Sequence, residues 1–210
     1  MRSGAIVLAG GRSTRMGEPK ATLPWRGTTL LDHVANVVRA GTDEGPVVVV
    51  AAAGQALPPL HPAILTTVDA RPGRGPLEAI AAGMRALPAD AEAIYVSSVD
   101  APFLVPAFVR RLLRALAPGV DLAAPDAHGH RHPLCAAYRR TLLPLLDDRL
   151  AADELRLAPL LDEPWALLLD ETALLADAGL RLADPALRSL VNANDRAAYE
   201  AAVAADAADR

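Results

Sequence analysis

Gly10-Gly11, with Arg15 and Lys20 a few residues on, is the stretch of this chain whose residue types and spacing point to phosphate chemistry. Adjacent glycines let the backbone turn sharply and approach a ligand closely. Successive N–H groups in such a turn form an anion-binding concavity. Arg15 and Lys20 add two positive charges, and a triphosphate is the ligand these parts suit. The loop is neither of the common phosphate loops. Gly17 is followed by Glu18, where a Walker loop needs Lys and then Ser or Thr. Pro19 and Pro24 keep the chain extended where a dinucleotide fingerprint would run directly into a helix. By spacing alone the stretch also suits an ordinary glycine turn with solvated basic side chains.

Asp100 is the second chemical anchor, because it follows Tyr95-Val96-Ser97-Ser98-Val99 at the end of a strand-like segment and precedes Ala101-Pro102-Phe103. A carboxylate at the carboxyl end of a strand stands at the edge where open α/β sheets bind ligands. One or two carboxylates together with phosphate oxygens are the usual way to hold Mg²⁺. An Asp that opens a turn before proline is the structural alternative. Asp69 begins a loop containing Arg71, Pro72, Gly73, Arg74, Gly75 and Pro76, which reads equally as a shaped ligand loop or a surface connection. His128, His130 and His132 alternate, but Gly129 and polar neighbours indicate a mobile exposed loop rather than a metal site. In Asn192-Ala193-Asn194-Asp195, either Asn194 or Asp195 suits a helix cap, and Asn192 or Asn194 suits a polar site.

These groups need a scaffold, and the pattern supplies one. The chain has 210 residues with 52% hydrophobic content, enough for one α/β domain spanning 1–210 with a sizeable core. Apolar or β-branched runs at 5–7, 46–51, 64–68 and 93–97 read as strands, and the continuous run at 46–51 reads as one buried on both faces. Helical spacing marks 28–41, with Thr28 or Thr29 as cap, then 76–87 and 105–116. That alternation predicts a doubly wound, mostly parallel sheet with helices on both faces. Further on, 120–124, 134–138, 165–169 and 190–191 read as strands, and 141–150, 153–161 and 195–208 as helices.

The net charge of −4 argues against a nucleic-acid partner. No apolar run reaches the ~20 residues that span a membrane, and the N-terminus lacks a signal-peptide pattern. The lone Cys135 forms no intrachain disulfide and reads as a buried small hydrophobe. A reducing cytoplasm fits these features.

The run from Leu8 to Lys20 resembles the signature L-A-G-G-x-S-x-R-M-G-x-x-K of the molybdenum cofactor guanylyltransferases, in the nucleotidyltransferase superfamily with its Rossmann-like fold. The resemblance recurs in order along nearly the whole chain. It implies transfer of GMP from GTP to molybdenum-bound molybdopterin, with pyrophosphate as the leaving group and Mg²⁺ as cofactor. Leu8, Ala9, Gly10 and Gly11 then hold the nucleotide, with the backbone of Leu8 and Ala9 near the base. Arg15 and Lys20 neutralise charge on the leaving pyrophosphate. Asp100 matches the metal-binding Asp of the family's D-x-P-F motif, and Asp69 matches an Asp that contacts the nucleotide. His132-Pro133 is similar to a step on the acceptor side, and Asn192 and Asn194 match an N-x-N-T-P segment facing metal and phosphates.

The chain departs from the pattern at three places. Asp195-Arg196 replaces Thr-Pro, Glu78 stands where many relatives have a small residue, and Ala53 lies near a position where some relatives have a nucleoside-binding Asn. The last two leave base and ribose contacts open. A cytidylyltransferase acting on the same pterin is the nearest alternative, although such relatives usually carry L-A-A-G and Asp-Gln-Pro. A sugar-nucleotide or 2-phospholactate nucleotidyltransferase is a further option. A catalytically silent nucleotide-binding regulator is disfavoured by the joint presence of Arg15, Lys20 and Asp100. A protein that delivers the pterin is not identified by the sequence.

Overall fold

The computed structural model describes residues 2–10, 18–69, 71 and 73–209. The apolar N-terminal run forms β1 (Arg2–Leu8), buried over its last five residues at the middle of the sheet. A small hairpin follows, β2 (Pro24–Trp25) with β3 (Thr28–Thr29), closed by Arg26 and Gly27, both at positive φ. Two-residue turns of this kind match the twist of paired strands. Thr29 then caps α1 (Leu30–Gly41) by accepting from the Asp32 N–H at 3.2 Å.

The next elements fall where the periodicity predicts them: β4 (Val47–Ala51), β5 (Ile64–Val68), α2 (Gly75–Ala86), β6 (Ala91–Ser98) and α3 (Pro106–Arg114). Beyond them come β7 (Leu122–Ala127), β8 (His130–Arg131), β9 (Cys135–Arg139), α4 (Leu143–Ala151) and β10 (Ala166–Leu169). Three helices close the chain: α5 (Glu171–Leu175), α6 (Ala178–Ala183) and α7 (Arg196–Ala208).

The main sheet runs in the order β5-β4-β1-β6-β9-β7-β10, with β8 attached to β7. Strands β5, β4, β1 and β6 are parallel, as are β7 and β10, whereas β9 runs antiparallel to both β6 and β7. Successive side chains of β1 and β4 fall into different cores, as the pleat requires. Ala5, Val7, Val47 and Val49 pack with α1, α3 and α7, while Ile6, Leu8, Val48 and Val50 pack with α2 and α4. Burial on both faces explains why these strands read as unbroken apolar runs. Among the described residues, no helix is long and apolar enough to cross a membrane.

Three expectations need correction. Residues 153–161 form no α-helix: Asp153 has φ 60° after the end of α4, and only a 3-10 turn at Ala158–Asp162 follows. Residues 190–191 form no strand. There the buried carboxylate of Asp184 accepts from the N–H groups of Arg188 (2.7 Å) and Ser189 (2.8 Å), curling the chain into a 3-10 turn at Arg188–Leu190. The histidine stretch is exposed at His128 and His130 as expected, but it is a β7–β8 hairpin rather than a loop: Asp126 pairs with Arg131 and Ala127 with His130, turned at His128-Gly129 with both φ positive. Helices α5 and α6 are additional, each opened by an aspartate cap, Asp170 and Asp177.

Candidate active site

The order of the sheet reverses beside β1, since β4 and β5 lie on one side and β6 on the other. In open α/β sheets such a point leaves a crevice outside the carboxyl ends of the strands. Leu8 pairs with Ser98, and Val99 N–H donates to the Leu8 carbonyl at 3.1 Å, so Ala9-Gly10 and Asp100 leave the sheet side by side. The N–H groups of Ala9 (2.9 Å) and Gly10 (3.2 Å) both donate to the Val50 carbonyl. A Cβ on Gly10 would lie 3.0 Å from the Ala52 nitrogen, so close approach of two backbones explains this glycine. Gly11 and Arg15 lie outside the described residues.

Gln55 holds this corner together, and sequence reasoning missed it. Its Nε2 donates to the Ala9 carbonyl and its Oε1 accepts from the Ala52 N–H, each at 3.0 Å. A glutamine in a Gly-Gln loop carries no signal of its own; only the neighbouring strand ends show what it bridges.

Lys20 stands in a 3-10 turn, Lys20–Thr22, and its Nζ reaches Asp100 Oδ2 at 2.6 Å. The Ser98 hydroxyl donates to the other carboxylate oxygen. Both charged side chains are largely buried, at 16% and 13% exposure, which weakens solvent screening of the pair. The Asp100 carbonyl accepts from Ala193 N–H at 2.8 Å, docking the segment that carries Asn192 and Asn194 beside it. Asp195 caps α7, accepting from Ala198 N–H at 2.9 Å, so Asn194 takes no part in the cap. Asp100, Asn192, Asn194 and His132 line one open cavity of about 250 Å³. Of the predicted residues, Leu8, Ala9, Gly10, Lys20, Asp100, His132, Asn192 and Asn194 therefore cluster around one crevice.

Asp69 is set apart from this cluster. It follows directly on β5 at the same edge of the sheet, two strands from β1, or about 10 Å at the usual strand spacing. Its N–H donates to Ala51 and its Oδ1 accepts from Arg71 N–H at 3.0 Å, giving an Asx-type turn. The Arg71 side chain reaches the buried carboxylate of Glu78 at 2.5 Å, and Arg74 lies between Glu78 and Asp153. Both arginines are thus paired with carboxylates, although half of the Arg71 side chain stays exposed. Glu78 sits in the first turn of α2, where a negative charge is favoured by the helix dipole.

Two other groups are placed where they do no covalent work. Burial holds the His132 ring below its usual pKa, with the neighbouring His130 and His128 acting in the same direction, while its Nε2 contacts the Ala127 carbonyl at 3.1 Å. Burial pushes the Cys135 thiol up to about 12, and it lies 3.0 Å from Tyr95 Oη. Neutral Cys135 is thus a packed residue, as its apolar neighbours predict. Among the described residues, no group of three or more His, Cys, Asp or Glu side chains is arranged to hold a metal ion. The crevice instead offers one carboxylate with hydroxyl and amide groups. That oxygen-bearing donor set fits Mg²⁺, which keeps several waters and takes further ligands from substrate phosphates.

The profile of the MobA-like NTP transferase domain matches residues 5–164, which include the crevice from β1 through β9. The chain belongs to the MobA-like NTP transferase family. The molybdenum cofactor guanylyltransferase of Sinorhizobium fredii is 37% identical over 158 residues, covering 74% of this chain and 72% of that protein. A Mycobacterium tuberculosis H37Rv protein named "Probable molybdenum cofactor guanylyltransferase" is 39% identical over 166 residues, covering 77% of this chain and 80% of the relative. Among solved structures, molybdopterin-guanine dinucleotide biosynthesis protein A from Archaeoglobus fulgidus superimposes with a TM-score of 0.71. That match has 20% identity and covers 95% of this chain and 96% of the other. The doubly wound architecture is thus that of the MobA-like NTP transferases, and the chain is a nucleotidyltransferase.

Proposed function

We propose that this MobA-like transferase moves GMP from GTP to the terminal phosphate of molybdenum-bound molybdopterin. An acceptor phosphate oxygen attacks the α-phosphorus of GTP. The bond from that phosphorus to the α–β bridging oxygen breaks, and pyrophosphate leaves with the electron pair. The observation that carries the reading is the Lys20–Asp100 pair at the β1/β6 crevice, beside Gly10 and opening into a cavity lined by Asn192 and Asn194. The names of the relatives supply the acceptor and the base.

Nucleotidyl transfer needs mainly positioning and charge neutralisation, and no side-chain nucleophile, because the attacking group is already a phosphate. The backbone at Leu8–Gly11 cradles the nucleotide, and Asp69 reaches it from the β5 side. Arg15 and Lys20 neutralise the departing pyrophosphate. Asp100 is the carboxylate that would hold Mg²⁺, with Asn192 and Asn194 beside it. Bound there, the ion would offset phosphate charge and orient the triphosphate. His132, neutral near pH 7, serves the acceptor side as a hydrogen-bonding group.

The test is product formation from molybdopterin and Mg²⁺ with GTP, CTP or ATP in parallel. Guanine dinucleotide from GTP alone is the expected result. Turnover with CTP instead would move the assignment to cytidylyl transfer, and no turnover with any of the three would overturn the reading.

A further inference from the structure

We infer that Arg131 is the anchor for the anionic acceptor, a phosphate monoester, and that Asp162 is its resting partner; this rests on the function proposed above. Arg131 lines the same cavity as Asp100, Asn192 and Asn194. Of the described residues lining that cavity, Arg131 is the one with a permanent positive charge. His132 is held neutral by burial, and Lys20, next to the cavity, is already engaged with Asp100. A dianionic acceptor brought beside the Asp100 carboxylate needs a cation of its own, or repulsion between like charges opposes its approach.

The position of Arg131 suits that task. It sits in β8, paired in register with Asp126, and two residues before Pro133 the chain is already turning into the cavity wall. Leu134 fastens that wall to the strand carrying the site, because its carbonyl accepts from Ser98 N–H at 3.1 Å. The guanidinium currently meets Asp162 at 2.6 Å, with 43% and 66% of the two side chains exposed. An ion pair so open to water adds little to stability. A phosphate dianion presents more charge to the guanidinium than a carboxylate does, and so displaces a single exposed carboxylate. The family profile fits this chain across the hairpin, yet the arginine is not one of the residues the sequence resemblance assigns to the site.

The experiment compares Arg131→Gln, Arg131→Lys and Asp162→Asn with the unaltered protein, measuring KM for molybdopterin and, separately, Kd for GTP. Loss of a charge-assisted contact predicts a rise in acceptor KM of about tenfold to a hundredfold in R131Q. GTP affinity should stay within about twofold, and R131K should recover part of the loss. D162N should leave the acceptor KM unchanged or lower it, because the guanidinium is released. Equal rises in R131Q and D162N would show a merely structural ion pair and overturn the inference. An unchanged acceptor KM in R131Q, or a parallel loss of GTP affinity, would also overturn it. Absence of turnover by the unaltered protein would remove the function reading and this inference with it. A working enzyme indifferent to R131Q would remove the inference alone.

Discussion

Lys20 and Asp100, eighty positions apart in the chain, meet with ammonium and carboxylate 2.6 Å apart at the junction of β1 and β6. Each charge is the other's main compensation in a partly dry crevice. Replacing either one therefore exposes its partner to the penalty of an unpaired buried charge.

Lys20→Met and Asp100→Asn should each lower turnover by about a hundredfold to a thousandfold, the usual effect of removing one preorganised charge from a transfer site. Their effects on stability should couple: urea titration of the double variant should recover about 0.5–3 kcal/mol relative to the sum of the singles. Strict additivity would mean the pair makes no energetic contact.

Gly10→Ala should destabilise the fold by about 1–3 kcal/mol, the range for forcing a methyl into a filled space. Its Cβ would meet the Ala52 nitrogen at 3.0 Å, and backbone cannot yield as a flexible side chain can. Thermal melting of G10A checks this, and an unshifted midpoint would contradict the close approach.

Gln55→Ala removes both hydrogen bonds that join Ala9 to Ala52. The expected loss is about 1–3 kcal/mol, because a carbonyl and an N–H are left without partners. GTP binding should weaken together with stability if the Ala9 backbone lies against the base. Isothermal titration of Q55A with GTP and with ATP separates a general loosening from a loss of base preference.

The His33 ring, whose Nε2 lies 3.0 Å from the Pro102 carbonyl, has its pKa lowered, first by burial and then by Arg26. Above pH 6.5 the ring is neutral in both folded and unfolded chains, and no penalty arises. As pH falls through 6.5, the unfolded chain takes up the proton first, so stability is lost until the lower folded-state value is reached. His132 acts in the same direction. The urea midpoint should therefore decline on acidification below about pH 6.5, and His33→Gln should flatten that decline. A pH-independent midpoint between 5 and 7 would contradict the assignment.

Much of the scaffold is legible without coordinates where a local rule acts alone. The β-branched run at 47–50 reads as an interior strand, and each pair of candidate caps, Thr28 or Thr29 and Asn194 or Asp195, contains the residue that caps α1 or α7. The glycine loop and Asp100 are legible because their types and strand-end positions match a family signature. What local rules do not show is pairing at a distance. Nothing around Cys135 states that β9 runs against its neighbours, and nothing near Gln55 states that it bridges two strand ends. Residues 153–161 have helical apolar spacing, but a left-handed Asp153 and an internal Pro159 defeat it. The β7–β8 turn puts His128, not the usual Asn or Asp, before Gly129, so it carries no strong hairpin signal.

The reversed direction of β9 divides the crevice between separate stretches of chain. Parallel strands β1 and β6 offer their carboxyl ends to the crevice, whereas β9 offers its amino end, preceded by the β7–β8 hairpin. The half of the crevice assigned to the triphosphate and the half assigned to the acceptor are thus built from separate stretches of chain. On the function proposed above, residues 126–134 form a separable cassette, whose exchange would alter acceptor choice without touching the strands that hold the nucleotide.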